Sequence, residues 1–474
     1  MLFLSWEFGL LLTITLICFY LLPARLRLYL LALADVVFYL AVGLNYLLLL
    51  VTVAGLVYFC ALKAWEQERK VYAWLGILAA LANLVFFKYT GFILANLGFI
   101  LPLGNLAENP WVAHLILPLG ISFYTFQMIA YLVDTAWKRT PPCRPIIQFW
   151  VFVSFFGKLT AGPIMRGQDL LPQLENAALG GFRAANLRIG FYYIVLGVAK
   201  KIILADALGV KVDFYFNQIA LLNSFDAWFA AYLFAFQLYF DFSAYSDLAV
   251  GVGRLFGLRL SVNFLTPYLS ANPTEFWQRW HITLSAWIKD YVYIPLGGSR
   301  RGLALQCLFF LVAMAASGLW HGAAWTFVAW GVYHGLLMVG YKLLARLNKS
   351  RLGLKINPLA GRVGAVFVFF HLTVLGWVFF RAGALGEAWA MLVKMVTFAQ
   401  VEFNPVYLLY FSFIILLYGL HVLEALLLGH KKLLAGYWEN SVPAWLRAAA
   451  YTALLLVFIL GLKTEPSSFI YFQF

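Results

Sequence analysis

Charge is what this sequence has least of. Only 11% of its 474 residues are Asp, Glu, Lys or Arg, against about 25% in an ordinary soluble domain. A water-soluble globular fold is excluded on that ground. Cysteine is scarce too: Cys18, Cys60, Cys143 and Cys307 lie far apart, three of them inside apolar segments and none in a CxxC pair. That pattern indicates neither a disulfide framework nor a metal site. Equally absent are a GxSxG nucleophile elbow, a GxxxxGK[ST] phosphate loop, an HExxH pair and a dinucleotide fingerprint. Serine-hydrolase, ATPase, zinc-protease and dinucleotide chemistry therefore have no motif to stand on. Acidic residues number 20 against 34 Lys and Arg, a net charge of +14. The basic residues fall mainly in short loops between apolar runs, where they act as topology signals rather than as a phosphate-tracking surface. No nucleic-acid partner is expected.

What remains is 64% apolar and 18% aromatic. Runs of about 20 apolar residues cross a bilayer as helices, whereas a barrel would show alternating segments of about 10. The expected fold is all-α and polytopic, with spans near residues 2–22, 28–43, 45–62, 71–90, 113–135, 188–208, 226–252, 303–319, 323–343, 363–381, 405–428 and 448–463. The first run has neither a basic n-region nor a small-residue cleavage pattern and reads as a retained helix. Lys342, Arg346, Lys349, Arg351, Lys355 and Arg362 form a basic run that belongs in the cytoplasm. Counting from it, and from Arg25, Arg27, Lys63, Arg69 and Lys70, puts both termini outside. The loops are too short for a soluble domain, so residues 1–474 read as a single transmembrane domain with no fixed-period repeat. Two stretches, 144–185 and 259–301, are neither spans nor ordinary loops; re-entrant or interfacial helices facing a cavity are expected there.

Three places could carry chemistry. His321, in Gly318-Leu319-Trp320-His321-Gly322-Ala323-Ala324-Trp325, is a titratable ring in a helix break between two apolar spans. Intramembrane ionisable groups are functional candidates by default, although a histidine there can equally satisfy a freed carbonyl. Gly318/Gly322 and Gly331/Gly335 form two GxxxG pairs suited to close helix packing. Upstream of His321, Asn272-Pro273-Thr274-Glu275 opens a helix with an N-cap, a proline at the first position and a capping-box carboxylate. Trp277, Trp280, His281, Leu284, Trp287, Ile288 and Tyr291 then recur at helical steps, which puts His281 on an apolar, aromatic face. A tryptophan-anchored surface helix would look the same. The span 226–252 holds Gln237, Asp241, Ser243, Tyr245, Ser246 and Asp247. Its carboxylates require an interior or watery setting, with Arg279, Arg254 and Lys289 as candidate counter-charges. His334 follows His321 by thirteen residues and could line the same cavity; His114, His371, His421 and His430 read as structural.

Together, Phe276-Trp277-Gln278-Arg279-Trp280-His281-Ile282-Thr283-Leu284-Ser285, Tyr293-Ile294-Pro295-Leu296-Gly297-Gly298 and Gly318-Leu319-Trp320-His321-Gly322-Ala323-Ala324-Trp325 resemble the bacterial membrane-bound O-acyltransferases in order and spacing. Further matches, to the branch of the alginate O-acetyltransferase membrane subunit, are Leu119–Gln127, Ala161–Arg166, Tyr239–Asp247 and Phe469–Phe474. The likeness covers residues 115–474 as a family core, with 1–110 matching less clearly. It implies a ring of about 11–12 transmembrane helices plus re-entrant helices around a central funnel or tunnel. It also implies His321 as the catalytic histidine and His281 as a second important one, with Trp320, Arg279, Asp241, Gln237 and His334 as cavity candidates. Topology counting puts His321 near the outer end of a span; the likeness puts it at the base of a funnel. The activity implied is O-acetyl transfer, as in polysaccharide O-acetylation and alginate biosynthesis, from a cytosolic acyl thioester such as acetyl-CoA. No permanently bound cofactor or metal is implied. The expected partners are membrane lipid, polysaccharide-modification machinery and an extracytoplasmic acetyltransferase, and the expected location is the bacterial inner membrane. A transporter or channel, or a secretion-complex scaffold, is the alternative.

Overall fold

The computed structural model describes residues 3–100, 110–113, 115–175, 179, 183–351, 358–398, 404–430, 436–438, 441–461 and 469–470. His114 lies outside them. Among the described residues the named elements are all helical. Among the described residues, six helices are both long and apolar enough to cross a membrane: Leu44–Glu66, Lys70–Gly98, Leu303–His321, Trp325–Arg346, Leu359–Arg381 and Val406–Gly429. The protein is therefore an all-α, multi-pass membrane protein.

The other expected spans are realised differently. Residues 2–22 and 28–43 become the shorter helices Trp6–Leu21 and Ala24–Leu40, and 113–135 becomes Ile121–Ala136. Residues 188–208 form Ala184–Ala199, which runs through a widened π turn, Lys200–Ala205, into Asp206–Phe216. Residues 226–252 sit within the 32-residue helix Ser224–Leu255, which carries Asp226, Asp241, Asp247 and Arg254. Of residues 448–463, 448–461 fall on Ala444–Gly461, and 462–463 lie outside the described residues.

The chain divides into two compact units, each built from separate stretches of sequence. The first comprises Met1–Val198, Tyr245–Val262 and Phe458–Ser468. In its stretch 144–185 a nine-residue helix, Ile146–Ser154, is followed by irregular backbone over 155–166 and then by the short helical turns Gly167–Leu170 and Leu171–Leu174. Phe155, Phe156, Leu159 and Ala161 in that backbone are buried. Unwound chain is tolerated at membrane depth only where protein or trapped water satisfies it. Here Asp35 accepts from the Phe156 amide at 2.7 Å and from Ser154 Oγ at 3.2 Å, while Lys158 Nζ donates to Gln127 Oε1 at 2.7 Å.

The second unit comprises Ala199–Ala244, Asn263–Val457 and Phe469–Phe474. It includes the helical hairpin Leu303–His321 and Trp325–Arg351, which closes because glycines face backbone. A Cβ on Gly318 would stand 2.1 Å from the Phe327 carbonyl oxygen, and one on Gly331 would stand 2.2 Å from that of Met314. Both GxxxG pairs thus contribute a glycine to the seam. Since backbone cannot swing away as a flexible side chain can, Gly318→Ala is expected to destabilise the protein by about 1–3 kcal/mol, seen as a lower melting temperature of the detergent-purified protein.

Residues 259–301 break into short pieces: a 3-10 turn Pro267–Leu269, helices Pro273–Trp277 and Ile282–Ile288, a π turn Lys289–Tyr293, and one turn Ile294–Leu296. Asn272 caps as its sequence demands, its side chain accepting from the Glu275 amide at 2.9 Å. The Glu275 carboxylate reaches back to the Ala271 amide, also at 2.9 Å. The continuous helix implied by the spacing from Trp277 to Tyr291 does not form; the chain turns at Gln278–His281 and starts again.

Candidate active site

His281 stands at that break. It is the N-cap of Ile282–Ile288, with φ 40° and ψ 56°. Left-handed backbone in a residue other than glycine costs on the order of 1–3 kcal/mol and persists only where the surroundings over-determine it. They do so here. His281 is fully buried, its ring edge-on to Phe242 at 4.6 Å between centroids and parallel to Phe264 at 6.3 Å. Phe242 belongs to the long helix Ser224–Leu255, next to Asp241. Lying between the apolar spans, His281 is pushed down to about 3 by burial, so it is a neutral imidazole at any physiological pH.

His321 ends its helix as expected, with extended backbone at Gly322. A Cβ on Gly322 would meet the Phe327 ring at 2.1 Å, so glycine is required there for close approach. The His321 ring is 2% exposed for the residue as a whole and is walled by Trp320 at 5.0 Å, Trp330 at 4.9 Å and Phe380 at 5.2 Å. The two histidine rings lie 6.4 Å apart, and the Trp320 ring is 5.7 Å from that of His281. The fold thus brings together two imidazoles 40 residues apart in sequence, in one aromatic enclosure.

Other candidates distribute around this pair. His334 is separated from His321 by Trp330, whose ring is 5.0 Å from that of His334. It is fully buried among Phe276, Trp277 and Trp377. Its ring nitrogens have no hydrogen-bond partner among the described residues. Arg279 pairs with Glu275 at 2.8 Å, and Arg362 reaches the same carboxylate oxygen at 2.9 Å. These two guanidiniums, with the Ala271 amide, hold Glu275 below the usual carboxylate range against the opposing effect of burial, the largest influence on it. Arg279 also lines a cavity of about 730 Å³ with Asn272, Thr274, Gln278 and Tyr341. Gln237 sits instead over Gly209, where a Cβ would come within 2.8 Å of its amide nitrogen.

Asp241 is buried, as a carboxylate in an apolar span must be, but its counter-charge is none of Arg279, Arg254 or Lys289. Lys201 holds it at 2.7 Å and also reaches Asp206 at 2.9 Å. The second oxygen of Asp241 accepts from the Ile470 amide at 2.8 Å. The neighbouring Lys200 pairs with Glu424 at 2.7 Å, and Tyr239 donates to the same carboxylate at 2.6 Å. Sequence reasoning missed both lysines, although two adjacent ammonium groups inside an apolar run were the signal. It also missed Phe380 and Asn263, which no spacing marks.

The sequence model of the membrane-bound O-acyltransferase family matches residues 141–380, which include His281, His321, Asp241 and Arg279. The chain belongs to that family. It is 38% identical over 388 residues to a probable alginate O-acetylase of Azotobacter vinelandii, covering 81% of this chain and 75% of that one. It is 35% identical over 491 residues to a probable alginate O-acetylase of Pseudomonas putida, covering 96% of each. A peptidoglycan O-acetyltransferase of Helicobacter pylori is 35% identical over 395 residues, covering 77% of this chain and 73% of the relative. As a member of the family, this multi-pass protein is an O-acyltransferase.

Proposed function

We propose that the protein passes acetyl groups from a cytosolic thioester, acetyl-CoA, toward the hydroxyls of an extracytoplasmic polysaccharide such as alginate, in the bacterial cytoplasmic membrane. One observation carries the reading: two buried imidazoles face one aromatic enclosure, 6.4 Å apart, in a chain whose family performs acyl transfer. Relatives named for O-acetylation of alginate and of peptidoglycan support acetyl as the group.

His321 takes the proton of the acceptor hydroxyl as that oxygen attacks the thioester carbonyl. The tetrahedral intermediate expels the thiolate, and the imidazolium returns the proton to sulfur, so no net proton is consumed. A positioned base of this kind contributes roughly 10²–10⁴-fold. His281, neutral, donates a hydrogen bond to the developing oxyanion. The first acceptor is the serine hydroxyl of an extracytoplasmic acetyltransferase, which hands the group to the polymer.

The donor's phosphates bind in the cavity beside Arg279, which Glu275 also lines; the Arg279 and Arg362 guanidiniums together outweigh that one carboxylate, and amide and hydroxyl neighbours complete a setting for an oxyanion. It includes Tyr341, at the edge of the basic run assigned to the cytoplasm. Arg279→Gln is expected to raise the KM for acetyl-CoA about 10-fold or more while changing kcat little, since a charge-assisted hydrogen bond contributes about 1.5–3 kcal/mol; initial rates against donor concentration measure both. The reading as a whole is tested with purified protein in vesicles, acetyl-labelled CoA outside and an acceptor inside. Covalently acetylated acceptor is expected. Intact labelled donor crossing without covalent product would make the protein a transporter, and acetylation unaffected by loss of both histidines would make it a scaffold.

A further inference from the structure

The left-handed turn at His281 is held from one neighbouring residue. Asn263, fully buried, accepts the Ile282 amide on its backbone carbonyl at 3.0 Å. Its side-chain Oδ1 accepts both the Thr283 amide at 3.3 Å and the Thr283 hydroxyl at 2.7 Å. Two residues further on, the Leu265 amide donates to the Arg279 carbonyl at 2.9 Å. The segment Asn263–Leu265 is thereby laced to the chain on both sides of His281. Phe264, between those two anchors, lays its ring parallel to the imidazole. The three bonds to Asn263 fall on the two residues that follow His281, where the new helix leaves amides without intrahelical acceptors. Because Oδ1 takes both Thr283 donors, the amide is fixed in one orientation. Its Nδ2, buried, has no hydrogen-bond partner among the described residues.

We infer that Asn263 is a positioning residue for acyl transfer: it fixes the strained turn that aims the His281 ring into the enclosure shared with His321. This rests on the reading that His281 takes part in the reaction. A ring displaced by about 1 Å from its working geometry forfeits on the order of 10²-fold in rate, and removing the Oδ1 acceptor frees the turn to relax toward an ordinary conformation.

The test is a double-mutant cycle on the full-length protein, measuring transfer from labelled acetyl-CoA to a hydroxyl acceptor. Asn263→Leu, which keeps the volume and removes the acceptor, is expected to lower kcat by about 10²-fold with the donor KM unchanged. Asn263→Asp, which keeps Oδ1, is expected to recover most of that rate. In a His281→Ala background the same Asn263→Leu change is expected to cost less than about twofold, because residues acting as a unit are non-additive. Thr283→Val, which removes one of the two donors to Oδ1, should show the same dependence on His281 with a smaller loss, and serves if Asn263→Leu does not accumulate. A full, independent loss in the His281→Ala background would make Asn263 a scaffold residue and overturn the inference. Undiminished rate in Asn263→Leu would overturn it as well. If His281→Ala itself transfers acetyl at the wild-type rate, the functional reading of His281 fails first, and the inference fails with it.

Discussion

His321→Ala is expected to leave a protein that inserts and accumulates normally but transfers acetyl groups about 10²–10⁴-fold more slowly, the contribution of one positioned general base. The physical reason is narrow. Trp320, Trp330 and Phe380 exclude bulk water from the ring, so once the imidazole is gone no solvent base stands ready to take the hydroxyl proton. The change should appear in kcat rather than in the donor KM, since the proposed phosphate contacts lie at Arg279. The fold is not at stake in the same way: the hairpin that carries His321 is held by Gly318 and Gly331 against backbone, and neither contact involves the imidazole. Rates from labelled acetyl-CoA, normalised to purified protein, measure the effect; near-normal transfer would remove His321 from the mechanism.

The largest stability effect is expected at Lys201, not at a histidine. Its side chain is 3% exposed, and its ammonium holds Asp241, equally buried, at 2.7 Å and Asp206 at 2.9 Å. Lys201→Met strands Asp241 without its charge partner in an apolar helix. Breaking a buried pair from one side costs about 3–5 kcal/mol, because the remaining charge has lost its solvent and its partner together. The loss should show as a markedly lower melting temperature in detergent and reduced protein in the membrane. Replacing Asp241 as well removes its stranded charge, although Asp206 still loses Lys201, so Lys201→Met combined with Asp241→Leu should recover part of the loss. Asp241 also accepts from Ile470, which sets a limit on that recovery. An unchanged melting temperature in the single variant would show that the pair contributes nothing net.

What could be read in advance follows from the range over which each interaction acts. Apolar length is a local property, and six spans expected from it appear as long apolar helices. The end of the helix at His321 was legible too, because Gly318 and Gly322 are the residues that a close crossing and a tight exit require. The break at His281 was not. Trp277, Trp280, His281 and Leu284 keep a helical period straight through it, and the bonds that override that period come from Asn263, 18 residues earlier. Nor was the partner of Asp241. Three cations near it in sequence or in the next segment were reasonable choices, but the pairing was decided by which helices lie side by side, and Lys201, 40 residues away, faces it. Gln237 shares a helix face with Asp241 at one-turn spacing, and it packs over Gly209. A shared face does not fix which neighbour that face meets at each turn.

On the proposed mechanism, His281 and His321 together receive the reacting acyl group. The most direct measurement is an experimental structure of the full-length protein with a non-hydrolysable acetyl-CoA analogue, a ketone in place of the thioester. The ketone oxygen is expected within hydrogen-bonding reach of His281, about 3 Å, and the His321 ring facing the same carbonyl carbon, with the phosphates beside Arg279. An analogue bound with its acyl end away from both rings would contradict it.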